Sequence, residues 1–87
     1  MASRISTLTI DAHNPASLAR FWQQALGWEA DDDGTIYSLA PAGGGAPGID
    51  VVPVPEPKTV KNRLHLDLSA DGCTQEEEVG RLIGLGG

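Results

Sequence analysis

A short strand pattern occurs twice in this chain. Residues 8–11 read Leu-Thr-Ile-Asp and residues 64–67 read Leu-His-Leu-Asp, so apolar and polar positions alternate in both and each ends in aspartate. Alternation with a period of two predicts a strand with one buried and one open face. Apolar residues at helical spacing follow each copy, first Leu18, Phe21 and Trp22, then Val79, Leu82 and Ile83. The sequence therefore predicts that the chain contains the same strand-helix unit twice.

Both predicted helices have recognisable ends. Asn14 is a good N-cap, Pro15 suits a first helical position, and Gly27 is placed to end the first helix. Thr74 and Glu77 have the spacing of a capping box at the start of the second. The acidic run that includes Glu77 complements the positive, N-terminal end of the helix dipole. A cation near the C-terminal end would complement the negative end in the same way.

Three further extended segments are predicted between and beside these helices. Residues 31–34 form a tight turn, which leaves residues 28–30 and 35–40 as two arms of a hairpin or as one interrupted strand. Residues 49–54 read as a strand whose tail is rich in proline. Residues 63–68 are the most regular strand pattern, with leucines on one face.

Composition limits the classes of function. The net charge is −6, but half of the twelve acidic residues lie in the runs 31–33 and 76–78. No basic stripe with interleaved aromatic residues is present, which argues against nucleic-acid binding. The single cysteine, Cys73, permits no internal disulfide and no zinc cluster. Without an apolar run long enough to cross a bilayer, we expect a soluble cytoplasmic protein and no membrane partner.

The sequence resembles a known family. The likeness is carried by residues 10–28 (Ile-Asp through Leu-Ala-Arg-Phe-Trp and Ala-Leu-Gly-Trp), residues 54–58 (Val-Pro-Glu-Pro-Lys) and residues 61–67 (Lys-Asn-Arg-Leu-His-Leu-Asp). These stretches are similar to the glyoxalase-like branch (glyoxalase/bleomycin resistance/dioxygenase) of the vicinal oxygen chelate superfamily. The run at 61–67 is the most specific of the three.

The resemblance implies an α+β fold in a single domain. Residues 1–57 would form a βαβββ half-module and residues 61–87 the βα start of a second, giving a curved mixed sheet with helices on its outer face. Family members continue with further strands, so the second module is expected to be incomplete. Because an uncovered sheet edge promotes aggregation, we expect a homodimer or a domain-swapped dimer to cover it, and otherwise a truncated fold.

The resemblance also indicates where a site would lie. It places His65 at the position of a histidine metal ligand that faces into a cup, and Glu56 is the one nearby acid that could join it. Alternation puts Arg63 and Asp67 on the face of His65, and Thr9 is its counterpart in the first copy. The imidazole could instead hydrogen-bond Asp67, Thr9 or solvent without binding any ligand.

Two aromatic residues complete the predicted site. Trp28 and Tyr37 could line a pocket for a flat organic ligand, or pack across the hairpin. We expect a small-molecule-binding domain of the glyoxalase/bleomycin-resistance type. The alternatives are a metal-dependent lyase, isomerase or dioxygenase of the same superfamily and a truncated fold with no activity. No cofactor is required by the sequence, although a divalent metal is possible.

Overall fold

The computed structural model describes residues 2–45, 47–60 and 64–86. The elements in chain order are β1 (Thr7–Ala12), α1 (Pro15–Leu26), β2 (Glu29–Asp32), β3 (Tyr37–Ala40), β4 (Gly48–Pro53) and α2 (Gln75–Gly84). The strands form one curved sheet in the order β1-β4-β3-β2, in which β1 runs parallel to β4 and the other pairs are antiparallel. The predicted α+β fold with a mixed sheet is confirmed.

The core lies between α1 and one face of this sheet. Leu39 and Val51 are 1% and 0% exposed, and Ala12, Ala19 and Ile49 complete the buried cluster. Small residues on α1 and at the end of β1 let the helix approach the branched side chains of β3 and β4 closely. Few large side chains are fully buried, so each contributes a large share of the stability of so small a chain.

The ends of α1 follow from the local sequence. The Asn14 side chain accepts the backbone N–H of Ser17 at 3.4 Å, and Pro15 opens the helix. Gly27 adopts φ 68°, and its N–H donates to the Gln23 carbonyl at 2.8 Å. A left-handed residue at this point turns the chain back toward the sheet, and glycine adopts that conformation without a steric penalty.

Of the two arrangements left open by the sequence, the structure has the antiparallel hairpin, β2–β3. The expected turn at residues 31–34 begins later than predicted, because Asp31 and Asp32 belong to β2. The hairpin turn is held by Asp33, whose Oδ1 accepts the N–H groups of Ile36 at 2.8 Å and Thr35 at 2.9 Å. These bonds favour the carboxylate and lower the pKa of Asp33. Gly34 supplies the positive φ of 95° that the turn requires. The aspartate-glycine run therefore sets the strand pairing.

In the described part of the chain, neither helix packs on the opposite face of the sheet. The register places Thr9 opposite Asp50, Asp50 opposite Ser38, and Ser38 opposite Asp31, so one polar row crosses all four strands. Residues directly opposite in a ladder point to the same side of the sheet. We call this surface the helix-free face.

The expected strand at residues 63–68 is the main difference from the sequence-based picture. Its described part, residues 64–68, has no regular secondary structure. Leu64, Leu66 and Leu68 are 77%, 42% and 41% exposed instead of sealed against a helix. A strand is stable only with a hydrogen-bonded neighbour, and residues 64–68 have none among the described residues. The alternation of apolar and polar residues in the sequence does not by itself provide a neighbouring strand.

The second helix, α2, is well capped but loosely attached. Thr74 and Glu77 form the predicted capping box, with bonds of 3.1 and 3.0 Å. None of its described residues is buried, and Val79 and Ile83 are 49% and 64% exposed. Arg81 joins it to α1 through hydrogen bonds to the carbonyls of Gln24 and Ala25. Neither described helix has the length and apolar character needed to cross a membrane.

Acid is expected to unfold α2 before α1. The Thr74 backbone N–H, followed by its hydroxyl, lowers the pKa of Glu77, and the hydrogen bond from Arg81 lowers the pKa of Glu78. Groups whose pKa is lowered by folding stabilise the fold at neutral pH, and this contribution is lost as the pH falls through the lowered values. Carbon-13 chemical shifts should therefore report loss of α2 in that range.

The first helix provides the internal control for this titration. No acidic residue occurs in Pro15–Leu26, so its shifts should stay helical while those of α2 change. Equal loss of both helices would show that acid acts on the whole fold, and the explanation from the capping box and the ion pair would then be wrong.

Candidate functional site

An apolar hollow of about 430 Å³ lies beside the start of β1. It is bounded by β1, by α1 and by residues 64–68, and we call it the tryptophan hollow. Its apolar lining includes Leu8, Trp22, Leu26, Trp28, Ile49 and Leu66. The volume is within the range of small-molecule sites in proteins, which are concave and largely apolar.

Local structure fixes both tryptophans. Trp22 and Leu26 are four residues apart on α1, so they project from the same side of the helix. Phe21 meets Trp22 edge to face, with ring centroids 5.3 Å apart, and restrains that indole. Trp28 follows the left-handed Gly27, which directs the chain back over the sheet. Two indole rings therefore contribute to one hollow from positions on either side of the end of the helix.

The polar part of the hollow comes from residues 64–68. His65 and Asp67 line it together with Leu66 and Leu68, and all of them are exposed. In a strand, His65 and Asp67 would lie on one face and the leucines on the other. Because the segment is not a strand, side chains of both sets meet the same hollow. An imidazole and a carboxylate thus accompany the apolar walls.

The other residues predicted for the site lie elsewhere. Thr9 is exposed on the helix-free face, because the neighbouring residues of β1 point toward α1. Tyr37 packs against the core, and it lies opposite Val51 of β4 in the register. Glu56 is exposed in the bend after β4. Arg63 lies outside the described residues.

The structure thus brings together three of the predicted site residues, His65, Asp67 and Trp28. Sequence reasoning had assigned Trp22 to the helical core stripe, and it did not single out Leu8. Both line the hollow, and Trp22 also packs against the buried core cluster. The only sequence signal for them was an apolar stripe, which buried and pocket-lining residues share.

The predicted metal ligands do not form a centre. Among residues 2–45, 47–60 and 64–86, no three His, Cys, Asp or Glu side chains are grouped so that they could hold a metal ion. His65 lines an apolar hollow, and Glu56 is not part of that lining. Divalent metal sites in enzymes usually use three or more protein donors of suitable chemistry. The described residues do not fit such a site.

A second cleft separates the end of α1 from the start of α2. Cys73 lies there, with its Sγ 3.9 Å from Oε1 of Glu78. Desolvation, followed by the charges of Glu78 and Glu77, raises the pKa of the thiol. A raised pKa keeps the thiol protonated at neutral pH, and the protonated form is a weak nucleophile. Cys73 is therefore not an activated nucleophile.

Comparison with known protein families assigns the chain to a family. A family model described as a glyoxalase-like domain matches residues 7–87. The matched region includes every helix and strand from β1 to α2 and also residues 64–68. Neither the curated proteins nor the solved structures contained a match.

Proposed function

Because the chain belongs to the glyoxalase-like domain family of the vicinal oxygen chelate superfamily, we propose that it binds a small organic molecule in the tryptophan hollow. The observation that carries this proposal is the convergence of His65, Asp67 and Trp28 on one apolar hollow of about 430 Å³. The proposal places the protein among the binding domains of the glyoxalase/bleomycin-resistance type.

The lining favours a ligand with a flat apolar body and one polar group. Indole rings such as those of Trp22 and Trp28 offer large faces to an aromatic or aliphatic ring system. At the exposed side, His65 can donate or accept a hydrogen bond and Asp67 can accept one. The apolar body supplies most of the binding free energy, and the polar group fixes the orientation.

We further propose that the protein acts as a homodimer. Seven large apolar side chains are exposed in the described residues, and six of them lie between residues 60 and 83: Ile5, Val60, Leu64, Leu66, Leu68, Val79 and Ile83. Exposed apolar area of this kind commonly marks an interface, and small cores commonly gain stability by association. A second copy would cover part of this surface and enclose the hollow more fully.

Binding can be tested with N-phenyl-1-naphthylamine, an uncharged aromatic probe that fluoresces in apolar surroundings. We expect the wild-type protein to bind it saturably with a dissociation constant of about 1–100 μM. Replacing Leu66 by glutamine places an amide in the lining, and the affinity is expected to fall roughly tenfold. Fluorescence titration of the probe measures both constants.

Ile83→Gln is the matched control, because Ile83 is also an exposed aliphatic residue but does not line the hollow. It should bind the probe like the wild type. Equal losses in Leu66→Gln and Ile83→Gln would place the probe on general apolar surface. Such a result would contradict the proposal for the tryptophan hollow.

A further inference from the structure

Two aspartate-glycine pairs lie at exposed positions between elements, Asp33-Gly34 in the hairpin turn and Asp71-Gly72 before α2. This dipeptide can rearrange its own main chain, because glycine has no side chain to keep its amide nitrogen away from the aspartyl side chain. Both glycines are open, since a Cβ added at either would meet no atom within 4 Å. Access alone therefore does not distinguish the two pairs.

The rearrangement begins when the backbone nitrogen of the glycine attacks Cγ of the preceding aspartic acid. The new N–Cγ bond closes a succinimide ring, and the side-chain hydroxyl leaves with the amide proton as water. The uncharged acid is the reactive form, because a carboxylate would have to expel an oxide ion. Water then adds to a ring carbonyl. Cleavage between the ring nitrogen and the α-carbonyl carbon gives isoaspartate, with its main chain through Cβ and a free α-carboxylate, and the mass is unchanged.

Hydrogen bonds hold Asp33-Gly34 away from this reaction. Oδ1 of Asp33 accepts the N–H groups of Thr35 at 2.9 Å and Ile36 at 2.8 Å, which fixes the carboxyl group on residues beyond the glycine. The Ile36 N–H, followed by that of Thr35, lowers the pKa of Asp33 and so reduces the share of the uncharged acid. The Gly34 N–H donates to Oδ1 of Asp32 at 2.7 Å, and this negative neighbour opposes loss of the amide proton.

Asp71-Gly72 has none of these restraints among the described residues. Neither the Asp71 carboxyl group nor the Gly72 N–H takes part in a hydrogen bond there. Both residues are exposed in a bend, and Gly72 has a φ of 79°, which glycine adopts without a steric penalty. No hydrogen bond of the described residues has to break before Cγ of Asp71 approaches the glycine nitrogen.

We infer that Asp71 is a site of spontaneous isomerisation to isoaspartate and that the hairpin turn protects Asp33 from the same reaction. The inference is independent of ligand binding and of dimerisation. It is carried by the contrast between the two pairs, which share the dipeptide, the exposure and an open glycine and differ in hydrogen bonding. The free α-carboxylate of the product is the group that an isoaspartyl carboxyl methyltransferase methylates, with S-adenosylmethionine as the methyl donor.

Isomerisation at Asp71 adds one methylene to the main chain between residues 64–68, which line the tryptophan hollow, and α2. Asp71 lines the cleft that also contains Arg81, and it precedes the N-cap residue Thr74 by three positions. The added atom changes the direction in which the chain enters α2. Because α2 buries none of its described residues, little packing opposes the change. Amide protons of α2 should therefore exchange faster in the isomerised protein.

The inference is tested by ageing the full chain at neutral pH, below its unfolding temperature, and locating isoaspartate by mass spectrometry. Trypsin places Asp33 in the peptide of residues 21–58. It places Asp71 in the peptide of residues 64–81. Electron-transfer fragmentation assigns the isomer to a residue, and enzymatic methylation counts the total. We expect at least about tenfold more isoaspartate at Asp71, the factor expected from breaking about one hydrogen bond to a charged group at Asp33.

Urea provides the control for the fold. In the unfolded chain the bonds of the hairpin turn are absent, so the two pairs should isomerise at similar rates. Asp71→Glu provides the control for α2, because glutamate would have to close a larger ring and keeps the same charge. After ageing, the α2 amides of Asp71→Glu should exchange as in fresh protein, whereas those of the wild type should exchange faster.

Each outcome bears on a separate statement. Equal accumulation at Asp33 and Asp71 in the folded protein, or more at Asp33, overturns the inference. It is also overturned if Asp71 stays unchanged while the chain in urea converts. A preference for Asp71 that persists in urea assigns the difference to neighbouring side chains and contradicts protection by the turn. Equal α2 exchange in aged wild type and aged Asp71→Glu overturns the effect on α2, and the site itself is decided by the mass spectra.

Discussion

Replacing Leu39 by alanine is expected to destabilise the protein by about 2–5 kcal/mol, because it leaves a cavity in a packed core. Leu39 is 1% exposed and lies on β3, in the buried cluster beneath α1. Typical domains have a free energy of unfolding of roughly 5–15 kcal/mol, and small ones tend to the lower end. We therefore expect the midpoint of thermal unfolding to fall by at least about 10 °C. Thermal and urea unfolding measure the change.

Leu64→Ala removes the same atoms from a side chain that is 77% exposed. It should change the free energy of unfolding by no more than about 0.5 kcal/mol, as for other surface substitutions. Both variants should be compared at low protein concentration, so that any dimer contributes equally little. Comparable destabilisation by the two substitutions would contradict the assignment of the core to the space between α1 and the sheet.

Local sequence chemistry accounts for the parts of the fold that could be predicted. Asn14 and Gly27 bound α1 through contacts with neighbouring residues, and the Thr74–Glu77 capping box starts α2 within one turn. The Asp33 turn acts over three residues. Such interactions depend little on distant partners, so patterns of a few residues predicted them.

The failure at residues 64–68 has the opposite cause. Alternating leucines predict a strand, but a strand also needs a neighbour, and the neighbour comes from a distant part of the chain or from another chain. The edge of β1 that faces away from β4 shows the same dependence, because no strand among the described residues pairs with it. A sequence pattern gives the face that a side chain would take in a strand, and it gives no information on whether pairing occurs.

The candidate site was predictable only in part for a related reason. The sequence left open whether Tyr37 lies in a hairpin or in one interrupted strand, and the direction of its side chain depends on the register with Val51. Trp28 reaches the hollow because Gly27 turns the chain, and His65 reaches it because its segment is irregular. The residues that line the hollow come together through tertiary packing. The periodicity of the sequence therefore identified some of these residues, but it could not show that they lie next to one another.

Replacing Arg81 by methionine is expected to release α2 from α1. In the structure the Arg81 guanidinium donates to the carbonyls of Gln24 and Ala25 at 2.9 and 2.7 Å, which are at the end of α1. Two further bonds of 2.8 Å join it to the Glu78 carboxylate. The guanidinium thus occupies the negative end of the α1 dipole and carries most of the attachment, because α2 buries none of its residues. Amide protons of α2 should lose protection from hydrogen exchange.

The sequence placed Arg81 near the end of its own helix and could not show that its partners lie 56 and 57 residues earlier in the chain. Arg20→Met is the matched control, since Arg20 is an exposed arginine of α1 with no hydrogen bond shown in the described residues. Its α2 amides should exchange as in the wild type. Arg81→Lys keeps the charge but cannot reach both carbonyls with a planar fork, so it should restore little protection. Full protection in Arg81→Met would mean that apolar contacts, rather than this guanidinium, hold α2 on the domain.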